Sequence, residues 1–305
     1  MTYEEKLAQF NEHIEAGGKV EAGDWMPDDY RRGVLKFIEM HANSEIMGAL
    51  PERECLPSAP TLQRKMSLCA KIQDEVGHAQ LLYRVAEDLG KSRVAMYEDL
   101  VTGKAKFHNV FHYPVKHWGD VAIIGWLIDG AALVTQAALL DSSYAPYTRV
   151  LKRICAEEQL HLRHGEDITL ELASGTDAQR EMFQEALNRW WLPIIHFFGP
   201  RSNVEKDLLL RWKVKTRTNE DLRAEFLDRY VPKILELGFT LPTPTPIAAD
   251  GHWVLVEEEI EWAPLDSIKR NEGPETARRL GARKTMYDSH RWVREALEEP
   301  AIHAA

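Results

Sequence analysis

Cysteine is scarce in this chain. Its 305 residues hold three, Cys55, Cys69 and Cys155, with no C-x-x-C pair among them. That excludes a disulfide framework and a thiolate zinc site, and leaves too few thiolates for an iron–sulfur cluster. Excess positive charge is missing as well: 38 Lys and Arg stand against 48 Asp and Glu, a net charge of −10. General binding to nucleic acid is therefore not expected, and any basic site must be local. The first residues, MTYEEKLAQFNEHIEAGG, contain no apolar core of the signal-peptide kind, so a reducing cytoplasm is the expected location.

Long apolar runs are nearly absent too. One stretch, VAIIGWLIDGAALVTQAALL at residues 121–140, reaches membrane-span length. Asp129 sits near its middle, and a charge at bilayer depth costs about 3 kcal/mol by insertion scales. No basic cluster flanks it. The stretch reads as a helix buried in a protein core, with no membrane involved. A carboxylate inside that core is then the odd feature.

What the chain does have is helical periodicity. DWMPDDYRR supplies a helix start, apolar residues recur at helical spacing from Val34 to Leu50, and Pro51 reads as the stop. A second helix is expected over residues 62–89, ending at Gly90, followed by a long crossover over residues 101–120. The apolar run is the third helix, and residues 147–173 are the fourth. Another follows over residues 178–198, and helical patterning resumes in LRWKVKTRTNEDLRAEFLDRYVPKILELG. Beyond Gly238 the pattern changes: TLPTPTP is a stiff linker, HWVLVEEEIEW alternates like a hairpin strand, and a charged helix closes the chain. The expected organisation is an all-α bundle over residues 1–238 with a small C-terminal appendage over residues 239–305.

Glu-x-x-His occurs twice, in KIQDEVGHAQLLYRV as Glu75 and His78, and in RICAEEQLHLRHGEDI as Glu158 and His161. Composition alone predicts about one such pair, so the count decides nothing. Context decides. Glu45 shares a helical face with Val34, Ile38 and His41, and Asp129 lies in the apolar helix. From Glu45 to Glu75 is 30 residues and from Asp129 to Glu158 is 29, so a lone carboxylate followed by Glu-x-x-His repeats at nearly the same step. Ionised carboxylates in a core are prohibitive unless neutralised. Two divalent metals balance four carboxylates, and two Glu-x-x-His motifs with two lone carboxylates are the ligand set of bundle di-iron sites. Zinc usually takes one tetrahedral site, whereas this oxygen-rich set favours iron or manganese. Lys71, one turn before Glu75, has two readings: a helix-surface partner that snorkels to water, or a cation that reaches the carboxylates. Gly48, Gly77, Gly125 and Gly130 interrupt helices at about 1 kcal/mol each, for close helix packing or for space beside the metals.

With HANSEI, SAPTLQRK, KIQDEVGHAQLLY, IGWLIDGAALV, ICAEEQLH and WKVKTRTNEDLR, the sequence resembles the catalytic subunits of ring 1,2-phenylacetyl-CoA epoxidases, bacterial multicomponent oxygenases of phenylacetate degradation. IGWLIDGAA is the most specific of these, since an aspartate replaces the usual glutamate of the third helix. The resemblance implies a ferritin-like four-helix bundle with a carboxylate-bridged di-iron centre, and it carries the two iron ions onto Glu45, Glu75, His78, Asp129, Glu158 and His161. It implies a monooxygenase that adds one atom of dioxygen across the ring's 1,2-bond, the other leaving as water. Electrons would come from NADPH through a separate reductase carrying FAD and a 2Fe-2S cluster. The implied partners are phenylacetyl-CoA, a small accessory subunit, and a ferritin-like structural subunit. For the coenzyme A end, RWKVKTRTNEDLR supplies Arg211, Lys213, Lys215 and Arg217; Lys215 is the first choice by family position, with Lys106 and Lys36 as further candidates. The same cluster also reads as a solvated helix face. A non-catalytic structural subunit of the same oxygenase is the competing reading, and an iron store or manganese catalase is another.

Overall fold

The computed structural model describes residues 1–298; residues 299–305, the end of the expected appendage, lie outside the described residues. A capping box between Thr2 and Glu5 starts α1 (Tyr3–Glu15). Next come α2 (Asp28–Cys55) and α3 (Leu62–Glu87), a hairpin turned by the short 3-10 segment Leu56–Ser58. A crossover containing α4 (Arg93–Val101) leads to the second hairpin. Its first arm is α5 (Trp118–Ile123), a wide π turn at Ile124–Ile128 and α6 (Asp129–Leu139); its second is α7 (Ala145–Ala173). Short links inside each hairpin and one long crossover between them make the ferritin-like four-helix bundle. Outside it, α8 (Asp177–Phe198) packs on α5 and α7, α9 (Leu208–Arg211) on α2, and α10 (Asn219–Glu236) on α6.

Among the described residues the apolar interior is three bodies rather than one, the smallest of them formed by Met47, Leu50, Leu100 and Phe107. Trp126, Phe183, Trp190 and Phe226 belong to a body around α5, α8 and α10. Tyr30, Val34, Ile38, Leu82 and Leu151 belong to another, around α1, α2, α3 and α7. On α7 the second body stops at Ile154 and the first begins at Ile168. The side chains between them are the charged ones, a polar layer across the middle of the bundle. The run Trp118–Leu139 is, among the described residues, the one helix long and apolar enough to cross a membrane, and it is largely buried in this core. Its close seat on α7 needs two glycines: a Cβ on Gly125 would lie 2.8 Å from Gly165 Cα.

Four local expectations are corrected. Pro51 does not stop α2, which runs on to Cys55 with the proline inside it. The preceding turn is braced from outside, where Arg283 Nη2 donates to the Ile46 carbonyl at 2.7 Å. The basic run 212–217 is not a helix face but a link between α9 and α10, with Lys213 at φ 52°. Of HWVLVEEEIEW, only His252–Val254 is paired as a strand, β2, antiparallel to β1 (Ile247–Ala249). Three helices rather than one follow: α11 (Ala263–Lys269), α12 (Thr276–Ser289) and α13 (Arg291–Glu298). Buried Arg279 on α12 donates to the carbonyls of Phe111 and Tyr113, so this segment braces the crossover.

Candidate metal centre

Each long helix delivers its acidic residue to the polar layer. Glu45 comes from α2, Glu75 and His78 from α3, Asp129 from the start of α6, and Glu158 and His161 from α7; all six are 1–7% exposed. The π turn widens the helix just ahead of Asp129, as such turns often do at functional sites. Ligand atoms of Glu45, Glu75, His78 and Glu158 lie within 4.8 Å of one another, and so do those of Asp129, Glu158 and His161. Glu158 belongs to both groups. Its Oε1 is 3.2 Å from His78 Nδ1 and its Oε2 is 3.1 Å from His161 Nδ1. Glu75 Oε1 stands 3.7 Å from His161 Nδ1. The structure thus brings together two overlapping ligand groups hinged on one carboxylate.

The imidazoles are oriented for ligation. Both turn Nδ1 inward and Nε2 outward, where Glu157 meets His78 at 2.9 Å and Asp74 meets His161 at 3.1 Å. An outer carboxylate on the far ring nitrogen fixes the tautomer and raises the basicity of a metal-ligating histidine. His78 Nδ1 is buried without a hydrogen-bond partner, because the nearby Glu158 oxygen lies out of line. Burial and the charges of Glu158 and Glu45 push the Glu75 carboxyl far above the carboxylate range. An orphaned nitrogen and a carboxyl forced to hold a proton both call for a cation in the middle. This donor set fits a pair of oxygen-preferring divalent metals.

Lys71 is 3% exposed. Its Nζ lies 2.5 Å from Asp129 Oδ2, 2.5 Å from Glu52 Oε1 and 4.0 Å from Glu75 Oε1. Burial works against its charge, but Asp129 and Glu52 overcome that and hold the ammonium well above its usual range. Glu52, just past Pro51, was hidden from sequence reasoning because the helix was expected to end there.

Beside the cluster is a cavity of about 280 Å³. Glu45, Glu75, Asp129 and Glu158 line its buried side; Phe111, Phe197, Ile124 and Ile128 are among its walls; the more exposed Lys215, Thr216 and Arg217 line its open side. About 150 Å³ of apolar cavity accepts a benzene ring, so a phenyl group fits with room to spare.

A family model described as phenylacetic acid catabolic protein matches residues 3–292. The chain belongs to that family. It is also 41% identical over 300 residues to the A subunit of 1,2-phenylacetyl-CoA epoxidase from Escherichia coli (strain K12), an alignment that covers 97% of this chain and 96% of the relative.

Among the lysines singled out for substrate in this member of the phenylacetic acid catabolic family, only Lys215 lines the cavity, bonded to Asp207 Oδ2 at 3.0 Å and Asn219 Oδ1 at 3.3 Å. Lys36 and Lys106 are exposed and outside the lining. Neither Asp74 nor Glu157 was among the site residues expected from the sequence. A signal was there: each Glu-x-x-His is preceded by an acid, and each acid serves the histidine of the other helix.

Proposed function

We propose that this chain is the oxygenase subunit of a multicomponent epoxidase that acts on the aromatic ring of phenylacetyl-CoA. One observation carries the reading: a two-metal donor set hinged on Glu158 opens onto an aromatic-walled cavity with Lys215 and Arg217 at its mouth. The substrate named for the 41% identical relative has the two ends such a cavity suits, a flat apolar ring and an anionic coenzyme tail. A purely structural subunit has no use for a complete donor set, and that reading is not favoured.

Glu45, Glu75, His78, Asp129, Glu158 and His161 would hold two iron ions, Glu158 being the residue common to both ligand groups. Iron bound there supplies reduction of dioxygen and transfer of one oxygen atom to the ring. The chain's own groups do the rest. Phe111, Phe197, Ile124 and Ile128 hold the ring and exclude water, which lowers the local dielectric and protects the oxidant from side reactions. Lys215 and Arg217 orient the anionic tail at the mouth, and Lys36 and Lys106 lie outside for its far end. Glu157 and Asp74 hold the two imidazoles in their ligating tautomer. Residues 1–238 form the oxygenase bundle, and the described part of the appendage, residues 239–298, braces the cavity wall through Arg279 and Phe111.

Electrons would arrive from NADPH through a separate reductase with FAD and a 2Fe-2S cluster, because three cysteines cannot hold a cluster here. A small accessory subunit, together with a ferritin-like structural subunit, completes the assembly in the cytoplasm. The test is reconstitution with reductase, partner subunits, NADPH and phenylacetyl-CoA, with a search by mass for a thioester carrying one more oxygen. Glu158→Ala should abolish that product and leave the helical content unchanged. Oxygenation by that variant would falsify the site.

A further inference from the structure

Tyr147 and His41 stand outside the proposed ligand set, yet one hydrogen-bonded chain ties them to it. Tyr147, on α7, is fully buried, and its hydroxyl lies 2.7 Å from His41 Nδ1. His41 Nε2 lies 2.8 Å from Glu45 Oε1, nearer than its other polar neighbour, Gln136 Nε2 at 3.4 Å. A carboxylate only accepts, so Nε2 carries the hydrogen to Glu45, Nδ1 is the bare acceptor, and the phenol donates to it. The Tyr147 ring stands edge-on to His41 and Phe37, with centroids 6.0 and 6.2 Å away, and lines the same cavity. Burial pushes the phenol above its usual range. It is a neutral phenol whose proton must leave together with its electron.

We propose that Tyr147 is a one-electron donor to the metal site, drawn on when dioxygen reacts there with no thioester in the cavity. The proposal rests on the functional reading above. Dioxygen going to water takes four electrons and four protons. A pair of divalent irons gives two electrons as each becomes trivalent, Tyr147 gives one, and the external reductant gives the fourth. The O–H bond of Tyr147 breaks: its electron goes to the metal site, its proton goes to His41 Nδ1, and His41 passes its Nε2 proton to Glu45. The remaining protons come from water. The neutral tyrosyl radical is later reduced by the same external reductant, with its proton returned along the chain. Oxidising power that would otherwise attack Phe37 or Met40 in the cavity wall is consumed harmlessly.

The experiment mixes iron-loaded, fully reduced protein with dioxygen and one electron equivalent of ascorbate, which supplies the fourth electron, in the absence of thioester, freezes it at once and records the paramagnetic resonance spectrum. Protein carrying ring-deuterated tyrosine is run in parallel. An organic radical is expected that narrows on deuteration and is lost in Tyr147→Phe and in His41→Gln, compared at equal iron content. Peptide mass spectrometry should show more oxidised Phe37 and Met40 in Tyr147→Phe than in wild type. A radical that survives Tyr147→Phe, or a wild-type protein with no radical, overturns the proposal. Adding reductase and phenylacetyl-CoA to the same preparation separates the failures. Product without a radical sinks only the Tyr147 role, whereas a chain that takes up no iron sinks the functional reading with it.

Discussion

Lys71 Nζ stands 2.5 Å from Asp129 Oδ2 and equally close to Glu52 Oε1, so one buried ammonium is shared between a carboxylate of the candidate metal cluster and one outside it. Removing one partner of a buried pair leaves the other charge uncompensated, at about 3–5 kcal/mol. Lys71→Met should therefore lower the stability of the metal-free protein by about that much, read from denaturant midpoints. Ferrous or manganous ion should restore part of the loss, because it neutralises Asp129 but leaves Glu52 unpaired. The same variant should bind metal more tightly, since the lysine no longer competes for Asp129. Unchanged stability without metal would mean that water reaches this layer.

Glu157 and Asp74 each hold the outer nitrogen of one imidazole. Loss of such a partner typically weakens metal binding by about 10–100-fold. Glu157→Gln should weaken the ion proposed to bind Glu45, Glu75, His78 and Glu158, and Asp74→Asn the ion proposed to bind Asp129, Glu158 and His161. Titration with iron or manganese should then resolve one weakened and one intact site in each variant, with the identity of the weak site exchanged. Both carboxylates are partly exposed, so the fold should tolerate either change. Identical binding curves for the two variants would contradict the pairing of acid to histidine across helices.

The six cluster residues were legible because each combines a helical face with chemistry a core does not otherwise tolerate. Asp129 stood out against an apolar run, and the two Glu-x-x-His motifs stood at matching intervals from lone carboxylates. Glu52 was lost to a local rule, since proline commonly ends a helix but here sits inside one. His41 and Glu45 are one turn apart on α2, so their pairing could have been read; Tyr147 arrives from another helix and could not. Lys36 and Lys106 show the limit in another way. A charged side chain declares itself in sequence, but whether it reaches a cavity depends on tertiary packing that no spacing rule encodes. The number of helices in the appendage was not legible for a related reason: α12 is set by what Arg279 and Arg283 grip, not by its own apolar pattern.

His112 ties the appendage to the crossover, with Nδ1 2.5 Å from Thr276 Oγ1 and its ring stacked on Phe107 at 4.0 Å. Burial holds its imidazole down at about 4, against 6.5 for a free side chain. The unfolded chain therefore takes up a proton that the folded one refuses. Its contribution is complete above pH 6.5 and is lost as pH falls toward 4, amounting to at most about 3 kcal/mol. Wild type should lose more stability than His112→Gln between about pH 7 and about pH 5, measured by denaturant midpoints at each pH. Limited proteolysis should show cleavage after Gly238 rising over the same interval. Parallel pH curves for the two proteins would assign the acid sensitivity elsewhere.

Ala132 lies on α6, one turn past Asp129, and lines the cavity. A larger side chain there occupies the space proposed for the ring without touching a ligand atom. Overpacking costs about 1–3 kcal/mol, which a bundle of this size should survive. Ala132→Phe should thus retain its iron while losing at least about tenfold in kcat/KM for phenylacetyl-CoA, about 1.4 kcal/mol of transition-state stabilisation. The loss should fall mainly on KM if the ring is merely crowded, and on kcat if it is held away from the oxidant. Iron content by elemental analysis and turnover by mass spectrometry give the two readouts. Retained iron with kcat/KM unchanged would mean that the ring does not enter between Ala132 and Phe111, and that the substrate approaches the metals from another side.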